Sequence, residues 1–129
     1  MIRIIARIWA KWHYVWAQEV ESAHTEINAA LSAKRAAEKR DLIRILRAEA
    51  DEIEKNIASE EAKPEYKALA GQNKYEADRE KNEAKKIVES KRQQAAEEEK
   101  NAEGGEQAAK VFRSQAANTR ATADRIRKL

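Results

Sequence analysis

Residues that interrupt a helix are rare in this sequence, and their scarcity constrains the fold more than any other feature. The chain has one proline and three glycines among its 129 residues. β-Sandwiches and α/β enzymes need many Gly- and Pro-containing turns and runs of β-branched residues. Here alanine, glutamate, lysine and arginine dominate instead, a composition typical of long helices and coiled coils. The sequence therefore predicts an all-α protein.

Two positions are expected to interrupt the helical structure. Pro64 removes a backbone donor and excludes a straight uninterrupted helix, and the adjacent pair Gly104 and Gly105 favours a bend. We expect one elongated, coiled-coil-like helical hairpin over residues 1–129 that turns back at Pro64. In such a hairpin, two residues face each other when their numbers add up to about 127. The predicted helices span about residues 2–61, 65–102 and 106–128, with the turn near 59–65 and the bend near 103–106.

The large apolar side chains are concentrated in the first half of the chain. Apart from 26 alanines there are 28 apolar residues, of which 19 lie in residues 1–57 and nine lie in the remaining 72. Burying a large side chain contributes roughly 1.5–3 kcal/mol, whereas ordering one backbone residue costs about 1–2 kcal/mol. Nine such side chains are too few to order the second half. We therefore expect it to pack on the first half and on neighbouring subunits, in a homo-oligomer or a larger assembly.

Apolar residues in the first predicted helix recur at intervals of three and four, which is typical of helices that pack against helices. This spacing predicts the contact face of the helix. One run consists of Ile2, Ile5, Trp9, Trp12, Trp16, Val20, Ala23, Ile27 and Ala30, and a second run consists of Ile43, Leu46, Ala50, Ile53 and Ile57.

The N-terminal segment 1–20 is an amphipathic helix with two open interpretations. Three cations lie opposite its apolar arc, and no acidic residue precedes Glu19. The arc packs either against the third helix and other protomers, or against an anionic membrane surface. The segment predicts neither a transmembrane span nor a secretory signal, so we expect a cytoplasmic or virion-associated protein. The candidate partner- or membrane-binding residues are Ile2, Ile5, Ile8, Trp9, Trp12 and Trp16.

The sequence predicts no enzyme and no cofactor. It contains no cysteine, its serines lie in polar helical runs, and it has no phosphate loop or nucleophile elbow. Glu21 and His24 have the Glu-x-x-His spacing of helical di-metal sites, but a full site needs further carboxylates and a second such motif. No metal site is predicted, and these two residues remain the only candidates.

Basic residues at the C-terminal end form a candidate interaction surface. They contact either an acidic protein surface or nucleic acid phosphates, and nucleic acid is not favoured because no recognition motif accompanies them. The residues of this basic surface are Arg113, Arg120, Arg125, Arg127 and Lys128.

One resemblance covers about residues 70–120. The segments Ala70-Gly-Gln-Asn-Lys-Tyr-Glu-Ala-Asp-Arg-Glu-Lys-Asn-Glu-Ala84, Gln93-Gln-Ala-Ala96 and Arg113-Ser-Gln-Ala-Ala-Asn-Thr-Arg120 resemble the Ala/Gln/Asn-rich helical segments of tailed-phage internal virion (ejection) proteins. The resemblance implies a capsid-internal or tail-associated protein that stacks as helices and later meets a membrane.

These observations favour a non-enzymatic structural or assembly protein that oligomerises through long helices, with a phage virion as one setting. Two alternatives remain open: a peripheral membrane-active amphipathic helix protein, and an oligomeric helical metal-binding protein that uses Glu21 and His24.

Overall fold

A computed structural model describes residues 1–129 and confirms the all-α helical hairpin. It contains three helices, α1 (Ile2–Ala62), α2 (Pro64–Gln72) and α3 (Lys74–Arg127), and α1 packs antiparallel against α3. No stretch of these helices has both the length and the apolar character that crossing a bilayer requires.

The connection between α1 and α3 is longer than the sequence predicts. α1 ends just before Pro64, as expected, and Pro64 then occupies the first turn of α2, where its missing N–H is not needed. The predicted continuous helix over 65–102 is wrong, because the chain breaks again at Asn73. Asn73 caps α3, since its side-chain oxygen accepts a hydrogen bond of 3.2 Å from the backbone N–H of Glu76. The pattern Asn73-x-x-Glu76 was the sequence signal for this helix start.

The predicted boundary between two helices near 103–106 is also wrong, because α3 runs without interruption through Gly104 and Gly105. Neither glycine has a positive φ. A Cβ built on Gly105 would lie 3.3 Å from the Cβ of Ala36 on α1. Gly105 thus allows close approach of α1 and α3.

The first of two structural units comprises residues 1–37 and 103–129. Its core is formed by buried small residues that recur every seven positions on both helices. Ser22, at its centre, donates a hydrogen bond of 3.0 Å to the backbone oxygen of Ala116. We call these residues the inner seam: Val15, Ser22, Ala29 and Ala36 on α1, and Ala109, Ala116 and Ala123 on α3.

The second unit comprises residues 38–102. A cluster of Ile43, Leu46, Ala95 and Ala102 forms its core, and Ile53 and Ile57 are half-buried further along α1. The second predicted apolar run therefore does face α3. Ion pairs between the two helices line both sides of this core, including Lys39–Glu98, Arg47–Glu99, Glu49–Lys91 and Glu54–Arg92.

The register of the hairpin differs from the predicted one. Ser22 contacts Ala116, so facing positions have numbers that add up to 138 rather than to about 127. The prediction assumed that the chain reverses at Pro64 alone. The reversal in fact takes up Lys63, all of α2 and Asn73, and these 11 residues shift α3 along α1. Trp16 consequently does not lie opposite Val111 and Phe112, as the predicted register required.

Candidate interaction surface

The first predicted apolar run of α1 lies outside the hairpin. All of its residues are exposed, and its three tryptophans are 54–67% accessible. We call this run the outer seam: Ile2, Ile5, Trp9, Trp12, Trp16, Val20, Ala23, Ile27 and Ala30. Sequence reasoning identified these residues, but packing of the arc against the third helix of the same chain is wrong.

The outer and inner seams occupy different sides of α1. Buried Val15, Ser22 and Ala29 each come directly before an exposed member of the outer seam. Consecutive residues of a helix point about 100° apart. A second helix therefore has room to contact the outer seam without displacing α3.

Aromatic rings cover part of the outer seam near its N-terminal end. His13 stacks on Trp9, with ring centroids 5.0 Å apart and planes inclined by 6°. Its other neighbour is Trp16, whose ring centroid is 5.9 Å away. Lys11 places its Nζ 5.6 Å from the centroid of the Trp12 ring, within the range of a cation–π contact. These contacts hold the rings in an ordered array that still faces outward.

Two carboxylates beside the outer seam are paired with arginines of α3. Glu26 forms an ion pair of 2.8 Å with Arg120, and Glu19 pairs with Arg127. Arg127 also contacts Asp124. The predicted basic surface is therefore partly neutralised by α1, since two of its five cations are engaged in ion pairs.

The predicted metal candidates are not brought together with further ligands. Glu21 and His24 are both exposed on α1, and the chain contains no group of three or more His, Cys, Asp or Glu side chains arranged to hold an ion. The structure thus gives no support to the oligomeric metal-binding alternative.

An open groove of about 720 Å³ lies between α1 and α3 in the second unit. Ile57 and Val88 form part of its apolar wall. The ion pairs Glu54–Arg92 and Glu61–Lys81 connect its two sides. The hydrogen bond to Glu61 raises the pKa of Lys81, so this lysine stays protonated in its ion pair across the groove.

Comparisons with protein-family models, with curated proteins and with solved structures give no match to this chain.

Proposed function

We propose that this protein is a non-enzymatic structural protein that self-associates through the outer seam of α1. The observation that carries the proposal is a run of exposed apolar residues with coiled-coil spacing that no part of the chain covers. Spacing by three and four residues matches a helical partner, because it keeps one stripe of a helix facing another helix.

The numbers of buried and exposed large apolar side chains support the binding of a partner. Only four are buried, whereas 19 are exposed. Each large side chain removed from water contributes roughly 1.5–3 kcal/mol. The outer seam contains seven such residues, so a helix placed on it gains enough burial to offset the entropy lost on association, about 4–15 kcal/mol.

A virion is the setting that we propose for this assembly. Its support is the resemblance of residues 70–120 to the helical segments of tailed-phage internal virion proteins. Stacking of helical hairpins agrees with what this resemblance implies, which is a capsid-internal or tail-associated protein that stacks as helices.

Replacement of one tryptophan tests the proposal. We expect Trp12→Ala to weaken self-association by about tenfold or more, because a large hydrophobic anchor is lost from the contact. Sedimentation equilibrium over a dilution series measures the change. Tyr14→Ala is the matched control, since Tyr14 is another exposed aromatic residue of α1 (45% accessible, against 54% for Trp12) and lies off the outer seam. A wild-type chain that is monomeric at all concentrations would contradict the proposal.

A lipid surface is the second candidate, favoured by the charge of the segment that carries the tryptophans. Residues 1–18 contain Arg3, Arg7 and Lys11 and no acidic residue, which is the composition of a helix that binds an anionic interface. Tryptophan emission of the full chain separates the candidates. A blue shift on anionic but not on zwitterionic vesicles, in a chain that stays monomeric in buffer, favours lipid.

A further inference from the structure

The outer seam is symmetric about Trp16. Apolar residues of the seam lie four, seven, 11 and 14 positions before Trp16, and others lie four, seven, 11 and 14 positions after it. The residues before it are Trp12, Trp9, Ile5 and Ile2, and those after it are Val20, Ala23, Ile27 and Ala30. An ordinary heptad seam, in which intervals of three and four alternate, is symmetric only about the midpoint of an interval. Here two intervals of four residues meet at Trp16, so the symmetry is centred on a residue.

We infer that a second copy of this chain binds the outer seam antiparallel, with a two-fold axis at Trp16. In such a contact each copy uses the same surface patch, and the two identical patches face each other. A residue a given number of positions before Trp16 then faces the residue the same number of positions after it. The inference rests on the proposed self-association and adds its orientation and register.

Side-chain size distinguishes the antiparallel arrangement from a parallel one. The two-fold axis places Trp9 opposite Ala23, and Trp12 opposite Val20. At these two levels a large ring faces a small side chain, which fills the space between the helices, and only at the axis does Trp16 meet Trp16 of the second copy. A parallel arrangement would instead pair each residue with itself, giving three Trp–Trp levels and a void at the Ala23–Ala23 level.

The charges beside the seam fit the same contact. Glu19 and Glu26 lie between the outer seam and the side of α1 that faces α3, and both are already paired with α3 arginines. They therefore do not enter the contact as unpaired charges, which would cost free energy on burial. Arg3 and Arg7 lie on the opposite side of α1 and do not face the second copy, whereas the Nζ of Lys11 stays beside the Trp12 ring at the edge of the seam.

Engineered disulfides test the orientation, and the natural chain contains no cysteine that would interfere. The two-fold axis brings Ile5 of one copy to Ile27 of the other, whereas the two copies of Ile27 lie about 33 Å apart. Mild oxidation of the full-length double variant Ile5→Cys/Ile27→Cys should give a covalent dimer on a non-reducing gel. Neither single variant should form one, because a disulfide needs Cα atoms within about 7 Å.

A size swap provides a second, independent measurement. Trp9→Ala and Ala23→Trp should each weaken dimerisation by about tenfold or more, through a cavity in one case and a clash in the other. The double variant Trp9→Ala/Ala23→Trp should recover most of the loss, because the large and small side chains merely change places across the axis. Sedimentation equilibrium of the three variants and the wild type measures this recovery.

The outcomes separate the orientation from self-association itself. Two results would overturn the antiparallel contact but leave the proposed function standing, provided that sedimentation shows the wild-type chain to be dimeric. One is a single-cysteine variant that forms a covalent dimer. The other is a double variant Trp9→Ala/Ala23→Trp that dimerises no more tightly than the single variants. A wild-type chain that is monomeric would overturn both. A monomer whose tryptophans shift to the blue on anionic phosphatidylglycerol vesicles would assign the seam to lipid instead, and would also overturn both.

Discussion

Two neighbouring glycines of α3 have different surroundings, although the sequence does not distinguish them. A Cβ at Gly105 would meet the Cβ of Ala36 at 3.3 Å and the backbone oxygen of Ser32 at 3.5 Å. A Cβ at Gly104 would meet nothing within 4 Å. Only Gly105 is therefore required for close contact between the helices.

This difference predicts opposite results for two alanine substitutions. Gly104→Ala should raise the free energy of unfolding by about 1 kcal/mol, because alanine in a helix interior is more favourable than glycine by about that amount. Gly105→Ala gains the same propensity but must push α1 away, so its unfolding free energy should be clearly lower than that of Gly104→Ala. Urea denaturation followed by circular dichroism measures both. Equal stabilisation by the two substitutions would show that the close approach at Gly105 is not a constraint.

At the scale of the helix, α1 carries two apolar faces, and sequence reasoning assigned the wrong one to α3. The tryptophan-rich outer seam is more hydrophobic than the inner seam, so hydrophobicity alone selects it. The face of α3 consists of alanines every seven residues, from Ala95 to Ala123. Between residues 103 and 129 this face meets the small-residue inner seam of α1 at close distance, and tryptophans there would hold the helices apart. The alanine repeat was readable in the sequence, and a comparison of side-chain sizes would have selected Val15, Ser22 and Ala29.

Other features of the fold were predictable because they depend on residues close together in the sequence. Pro64 sets the end of α1 because proline cannot donate the backbone hydrogen bond, and the run from Ile43 to Ile57 faces α3 as its spacing indicates. The register was not predictable, because it depends on the path of the connection between Lys63 and Asn73. The exposed state of the tryptophans follows from the small side chains of the α3 face, which pack against the inner seam of α1 instead.

The ion pairs between α1 and α3 in the second unit predict a stability that depends on pH. The hydrogen bond from Arg47, together with Arg40, lowers the pKa of Glu99, and the hydrogen bond from Arg92 lowers the pKa of Glu54. A carboxyl group whose pKa is lower in the folded state stabilises fully above its unfolded-state pKa, and this contribution is lost as the pH falls through the folded-state pKa. Unfolding free energy should therefore decrease on acidification below the ordinary carboxyl value of 4.5.

Substitution of one carboxylate checks the source of this dependence. Glu99→Gln should reduce the loss of stability on acidification, as measured by urea denaturation at a series of pH values. The effect should be small and should shrink in high salt, because these side chains are exposed to solvent. Glu52→Gln is the control, since Glu52 is an exposed carboxylate of α1 in the same structural unit that lies outside these ion pairs. A pH dependence that is the same in both variants would exclude Glu99 as a contributor.

For the whole molecule, the composition of the core links folding to association. Nine of the 13 buried hydrophobic residues are alanines, and alanine contributes little burial free energy because its side chain is one methyl group. Most large apolar side chains remain in water in a single chain. A contact that exists only in the folded state stabilises that state by mass action. Binding of the second copy therefore adds stability to a fold that has little apolar burial of its own.

The thermal midpoint should therefore rise with protein concentration. For a dimer that unfolds to separate chains, a tenfold increase in concentration changes the free energy of unfolding by about 1.4 kcal/mol of dimer. Because both chains of 129 residues unfold together, this corresponds to a shift of about 3 °C. Circular dichroism melts from low micromolar to high micromolar concentration measure the shift. Trp12→Ala should flatten the dependence over this range and lower the midpoint, whereas Tyr14→Ala should retain it. A wild-type midpoint that does not change with concentration would mean that the alanine-rich inner seam holds the hairpin together by itself, and that the tryptophans of the outer seam are not part of what stabilises the fold.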